Sequence, residues 1–235
     1  MLPYFYQKEI NITTANLVLN EETSKHCVQV LRMKVGEQLQ LTNGIGDLYT
    51  AEIIEANKKN TIVKILEIVN FKPQTKNVSI AISLLKNSSR FEWFLEKATE
   101  IGVTQIIPII SNRTERQSFK YERLSSILVA AMLQSQQAFL PILSEPIHYK
   151  DLFKNQHIDQ LTTKLIGHCS NGNKAFIKDL KEIHNSIILI GPEGDFTPEE
   201  IDMAFANNYQ PITLGETRLR TETAGVVAAC LLING

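Results

Sequence analysis

Between Ile187 and Leu232 the chain repeats one local plan twice: a short β-branched run, a glycine turn, then the start of a helix. Ile187–Ile190 is the first run, and Gly191-Pro192-Glu193-Gly194 breaks it. Thr197-Pro198-Glu199-Glu200 then opens a helix, with Thr197 as N-cap, Pro198 at the first helical position and Glu200 closing a capping box. Ile212–Leu214 is the second run, broken at Gly215. A polar loop carrying Arg218, Arg220 and Glu222 follows, and Val226–Leu232 continues as an apolar helix. In an open α/β sheet, ligands sit beyond the carboxyl ends of parallel strands, so both loops are predicted to face one crevice.

The same grammar begins earlier. Val78–Leu85 predicts a strand, and Ser89-x-x-Glu92 a capping box for a helix with Phe91, Phe94, Leu95 and Ala98 on one face. Gly102 ends that helix, and Ile106–Ile110 predicts the next strand, which makes a βαβ unit and implies a parallel pair. Trp93 lies off the apolar stripe and reads as partial packing rather than a base-stacking platform. The polar stretch Ser111–Tyr121 carries Arg113 and Arg116 at the carboxyl end of that strand, a place suited to substrate arginines. Glu122–Ala138 predicts a helix with Leu124, Ile127, Leu128, Ala131 and Met132 inward, polar near its end at Gln134–Gln137. Thr163–Gly167 is a further strand, ending at His168-Cys169-Ser170-Asn171-Gly172.

Residues 1 to 70 have a different character. Leu39 and Leu41 alternate with polar neighbours before the hairpin-type turn Asn43-Gly44, and Leu48–Ile54 and Thr61–Ile68 follow as strands. A short helix is predicted over His26–Leu31, ending near Gly36. Several short strands with turn signals suggest a small β-barrel, on which Arg32 and Lys34 stand either as phosphate contacts or as plain surface charges. The polar, proline-marked joint Phe71–Asn77 places the domain boundary: residues 1–72, then 73–235.

A 43% hydrophobic composition supports a real core, and the net charge of −1 announces no global field for nucleic acid. Basic residues nevertheless outnumber acidic ones between Lys72 and Arg123, and a local stripe suffices to bind phosphates. Cys27, Cys169 and Cys230 are far apart with no C-x-x-C, which argues against a metal site or a disulfide framework. No signal-peptide pattern opens the chain and no apolar run reaches membrane-spanning length, so a soluble chain of a reducing compartment, the cytoplasm, is expected.

The phosphate-binding fingerprints G-x-x-x-x-G-K-[ST] and G-x-G-x-x-G, and the hydrolase motifs H-E-x-x-H and G-x-S-x-G, are all absent. What remains is a crevice framed by Gly167, Gly191 and Gly215, with Ile166, Ile190, Leu214 and Leu219 as apolar walls and Arg220 and Glu222 at its mouth. That lining suits a flat heteroaromatic ring with polar edges better than a triphosphate. Three readings stay open on the residues alone: an enzyme of this kind, an α/β protein that holds a nucleotide phosphate on the GPEG turn, and an RNA-binding module without catalysis. Gly191 and Gly215 also fit as plain helix-opening turns, with Glu222 as a partner of the helix dipole.

GPEGDFTPEE and LGETRLRTETAG resemble the signature blocks of the RsmE family, the small-subunit ribosomal RNA uracil-N3 methyltransferases of the SPOUT superfamily. His26-x-x-x-Val30-Leu31-Arg32-Met33-x-x-Gly36, Lys97–Val103, and Gln134-Ser135 with Pro141 are similar to its other blocks, so the resemblance spans nearly the whole chain. It implies an α/β fold: a SPOUT domain with a parallel sheet and a C-terminal trefoil knot, preceded by a PUA-like RNA-binding β-barrel. It implies S-adenosylmethionine bound at Ile166, Gly167, Ile190, Gly191, Pro192, Gly194, Leu214, Gly215, Leu219, Thr223 and Ala224. Arg220 and Glu222 become catalytic candidates, and Arg32, Lys34, Arg113 and Arg116 candidates for contacts with 16S rRNA, in a homodimer with no metal. Asp195 stands where the family commonly has a second glycine, Thr217-Arg218 where it often has Arg-Ile, and Leu133 and Gln137 where it has a Glu and an Arg.

Overall fold

The computed structural model describes residues 2–10, 16–115, 118–180 and 183–235. The chain forms two compact units: Met1–Pro73 with Met132–Leu140, and Gln74–Ala131 with Pro141–Gly235.

In the first unit, β1 (Tyr4–Tyr6), β2 (Asn16–Val18), β3 (Gln38–Thr42), β4 (Asp47–Glu55) and β5 (Ile62–Asn70) form a five-stranded sheet in the order β1-β3-β4-β5-β2. Only the β1–β3 pair is parallel. The alternation in the sequence explains the core: Leu39, Leu41, Ala51, Ile53 and Val63 all point inward and are fully buried, together with Cys27. The turn after β3 is longer than a two-residue hairpin, because the Asn43 carboxamide accepts the N–H groups of both Ile45 and Asp47. The predicted helix at His26 begins earlier. Asn20 caps α1 (Glu21–Lys25), and a π-helical turn continues it over His26–Val30.

Met132–Leu140 belongs to this unit through backbone pairing. Gly46 N–H donates to Ala138 O and Leu140 N–H to Gly44 O, and the Tyr4 hydroxyl donates to Gln137 O.

The second unit is an eight-stranded sheet in which every pairing is parallel. Its long members are β6 (Asn77–Ser83), β7 (Gln105–Ile110), β10 (Thr163–Gly167), β12 (Asn185–Ile190) and β13 (Gln210–Thr213). Short strands β8 (Ile142–Leu143), β9 (Ile147–His148) and β11 (Ala175–Phe176) complete it. The sheet order is β11-β13-β10-β12-β6-β7-β8, with β9 also on β7. Its helices are α2 (Ser88–Ile101), α3 (Tyr121–Gln134) as far as Ala131, α4 (Tyr149–Leu152), α5 (Gln156–Asp159), α6 (Pro198–Ala206) and α7 (Thr221–Asn234).

The central strands are buried on both faces, which is why they read as continuous β-branched runs rather than as alternation. On one face Ile187, Leu189 and Ile166 pack with Phe196, Ile201 and Ala204. On the other, α7 meets β6 and α2. Two helix limits differ from expectation. Asn87, not Ser89, caps α2, its side chain accepting the Ser89 N–H. α3 stops at Gln134 rather than Ala138, because Gln136 takes a left-handed φ of 56° and Gln137 N–H returns to Met132 O. That is a Schellman ending, with glutamine where glycine is usual. The polar run Gln134–Gln137 is therefore where the chain leaves the helix.

Candidate active site

Three parallel strands set the site. β10 lies between β12 and β13, and the registers put Gly167 beside Ile190 on one side and Ile212 on the other. Their carboxyl ends are level, and the loops that follow line one cavity of about 370 Å³. That size lies within the range of small-molecule sites, from about 300 Å³ upward.

Gly167, Ile190, Gly191, Pro192, Leu214 and Gly215, all singled out in the sequence, line the cavity. So do Leu219, Arg220 and Ala224. Ile166 is in the core below. Gly194 faces Arg113, and Thr223 and Glu222 stand on the first turn of α7 outside the lining. Glu193 and Arg218, on the two loops expected to face the crevice, also line it, and so do His168, Cys169, Asp195 and Thr213, which the sequence does not mark as site residues. The signal for these last four is position alone: His168 and Cys169 follow the end of β10, Thr213 ends β13, and Asp195 follows the glycine turn after β12.

The turn after β12 is tied on every side. A Cβ at Gly191 would stand 3.1 Å from the Phe196 ring, so glycine lets the chain fold closely over that side chain, and a β-carbon there would require the ring to give by a few tenths of an ångström. Asp195 N–H closes the turn on Pro192 O at 2.9 Å. The Glu193 carboxylate accepts Lys86 N–H beyond β6, and the Arg113 guanidinium beyond β7 donates to Gly194 O. Cys169 N–H beyond β10 donates to the Asp195 carboxylate. The predicted capping box is present, and buried Glu200 uses its second oxygen to accept Asn112 N–H at 2.7 Å.

The electrostatics are mixed. Burial, reinforced by the charge of Lys174 and opposed by Asp195, pushes the His168 imidazole below its ordinary value of 6.5. Both its ring nitrogens are buried with no hydrogen-bond partner among the described residues, and its ring meets Phe205 edge-on. Arg220 is on the cavity wall, whereas Glu222 is buried with one oxygen 3.6 Å from Arg90 Nε and the other without a partner among the described residues.

Arg32 and Lys34 are exposed in the first unit, Arg32 with a left-handed φ of 56° at the end of the helical turn. Arg113 belongs to the second unit. Arg116 lies outside the described residues. Among the described residues, no group of three or more His, Cys, Asp or Glu could hold a metal, and no helix is long and apolar enough to cross a membrane.

The family model of the RNA methyltransferase domain matches residues 72–233, and that of the RNA methyltransferase PUA domain matches residues 19–66. The chain is 32% identical to the ribosomal RNA small subunit methyltransferase E of Rickettsia conorii, over 85% of this chain and 81% of that one. This chain belongs to the ribosomal RNA small subunit methyltransferase E family. The namesake from Mesomycoplasma hyopneumoniae is 34% identical over 77% of this chain and 78% of its own. Two solved structures align across 97% of this chain and 95% of theirs. One, a probable rRNA-methyltransferase from Porphyromonas gingivalis, is 36% identical with a TM-score of 0.88. The other, a ribosomal RNA small subunit methyltransferase E from Neisseria gonorrhoeae bound to S-adenosyl methionine, is 28% identical with a TM-score of 0.85. In this family member the methyltransferase match takes in the whole parallel sheet, and the PUA match falls inside the first unit.

Proposed function

We propose that this chain binds S-adenosylmethionine in the cavity and methylates N3 of a uridine in the 16S rRNA of the small ribosomal subunit. The observation that carries the reading is the level ending of β10, β12 and β13 on one cavity. Its lining fits the cofactor. Ile190, Ile212, Leu214 and Leu219 offer flat apolar walls, and polar groups at Thr213, Glu193 and Arg218 suit the ends of an adenosine that carries an amino-acid tail.

When bound, S-adenosylmethionine supplies a methyl group already activated for displacement. The chain must place that group against the uracil, and positioning contributes much of the acceleration. N3 is nucleophilic only as it loses its proton, so a general base helps. Glu222 is that base in our reading, and Arg220 on the cavity wall stabilises negative charge on the uracil oxygens. The approach of Arg90 to Glu222 favours a second role for this carboxylate, pinning the start of α7 to α2.

The same reading places a trefoil knot at the C-terminal strands, supported by a strand order in which β10 separates β12 from β13. It makes the protein a cytoplasmic homodimer, supported by Val226, Val227 and Leu231 of α7, which are only half-buried. Arg32 and Lys34, with Arg113 and Arg116, contact RNA. The target base leaves its stack to reach the cavity.

The test is mass mapping of 16S rRNA from a strain lacking the gene, before and after its restoration. One methyl group on a uracil that disappears and returns supports the reading. An unchanged map sinks it.

A further inference from the structure

Asp195 is a residue with a β-carbon held in a conformation that favours glycine. Its φ is 64°, and it follows Gly194 at the end of the turn after β12. Left-handed backbone is disfavoured for L-residues because Cβ crowds the following carbonyl oxygen, although a short polar side chain that bonds locally offsets part of this. The Asp195 side chain does so with both oxygens. Oδ1 accepts the N–H of Phe196 at 2.8 Å, and Oδ2 accepts the N–H of Cys169 at 2.8 Å.

The second bond is the informative one. Cys169 lies 26 positions away in sequence, in the loop that follows β10. Cys169 and Asp195 both line the cavity. One carboxylate therefore joins the two loops between which the ligand would lie, at a position where a glycine would remove the backbone strain and lose the joint.

We infer that Asp195 is a positioning residue for the cofactor: its carboxylate sets the spacing of the β10 and β12 loops and preorganises the cavity. The inference rests on the proposed cofactor reading. Preorganisation raises affinity by removing the ordering that a ligand would otherwise impose. Stability and binding should then separate. In Asp195→Gly, relief of the left-handed strain opposes the loss of two hydrogen bonds, so the unfolding temperature stays within a few degrees of wild type. Binding gains nothing from relieved strain, and the affinity for S-adenosylhomocysteine falls by about tenfold, the size expected for a charge-assisted hydrogen bond. Asp195→Asn keeps the shape and one carbonyl oxygen but turns an NH₂ towards one of the two N–H donors. It should weaken binding in the same direction and by less.

The experiment is calorimetric titration of the full chain and both variants with S-adenosylhomocysteine, beside thermal unfolding and steady-state methylation kinetics. The expected result is weakened binding at near-constant unfolding temperature, with KM for S-adenosylmethionine raised far more than kcat is lowered. Variants that bind within twofold of wild type overturn the inference, as does a fall in affinity that only tracks a fall in stability. Should Asp195→Gly fail to fold, Asp195→Asn decides by the same criteria. A wild-type protein that does not bind S-adenosylhomocysteine rejects the cofactor reading itself, an outcome distinct from equal binding by all three proteins.

Discussion

The Arg113 guanidinium donates to the Gly194 carbonyl at 2.7 Å, and the methylenes of its stem lie against the site where a Gly194 Cβ would be. This contact ties the loop after β7 to the turn after β12, so an arginine expected to meet RNA also holds a cavity-forming turn. Arg113→Ala should weaken S-adenosylhomocysteine binding by about threefold to tenfold, a modest effect because the side chain is exposed. Arg113→Lys should recover part of the loss. Calorimetry beside an RNA-binding assay checks this. Unchanged cofactor affinity with weakened RNA binding would assign Arg113 to the RNA alone.

Glu222 is buried and only loosely engaged by Arg90 at 3.6 Å. Glu222→Gln keeps its shape and removes its basicity. A single-turnover methylation assay should show a loss of about 100-fold or more, the usual scale of a general base, with S-adenosylhomocysteine affinity retained. Methylation at the wild-type rate would exclude Glu222 as the base and leave it the pinning role.

Gly225 lets α7 lie directly on its neighbours. A Cβ there would stand 2.6 Å from Phe94 Cε2 and 3.0 Å from Ile82 Cδ1. Alanine gains about 1 kcal/mol in helix propensity, while overpacking a dense core costs about 1–3 kcal/mol. Gly225→Ala should therefore lower stability by about 1 kcal/mol, read as a lower urea midpoint. A midpoint at or above wild type would show that Phe94 has room to move.

His168 imposes a pH dependence with a definite sign. Its folded-state value lies below the ordinary 6.5, so as the pH falls through 6.5 the unfolded chain takes up a proton that the folded chain refuses. The neutral imidazole's contribution to stability is complete above 6.5 and is lost as the pH falls towards the folded-state value. Urea midpoints measured from neutral to mildly acidic pH should fall less steeply in His168→Gln than in wild type. Parallel slopes would show that the ring is protonated as readily in the folded chain as in the unfolded one.

Particular elements show why some features could be read from the chain and others not. The Thr197–Glu200 capping box was legible because all its partners lie within one turn. The burial of β12 was legible because a strand covered on both faces must be apolar throughout. The cap of α2 is ambiguous in the sequence because Asn87 and Ser89 both suit the role, and only backbone geometry selects Asn87. The end of α3 is hidden in the sequence because Gln136 carries no glycine signal for its left-handed turn. The bond from Cys169 to the Asp195 carboxylate is not legible in the sequence because the two residues are 26 positions apart.

The amino-acid sequence alone determined the long strands and helices and their order, the glycine breaks at Gly167, Gly191 and Gly215, and the split between alternating strands and uniformly apolar ones, but not the short elements β1, β2, β8, β9, β11, α4 and α5. Those properties depend on periodicity and on neighbours a few residues apart. Only the tertiary structure decided that β10 sits between β12 and β13, that Gly167 is level with Ile190 and Ile212, and that the Asp195 carboxylate reaches Cys169. The physical reason is range. Local conformation is set by short-range sterics and hydrogen bonds, whereas strand neighbours and cavity walls come from burying apolar faces contributed by distant parts of the chain.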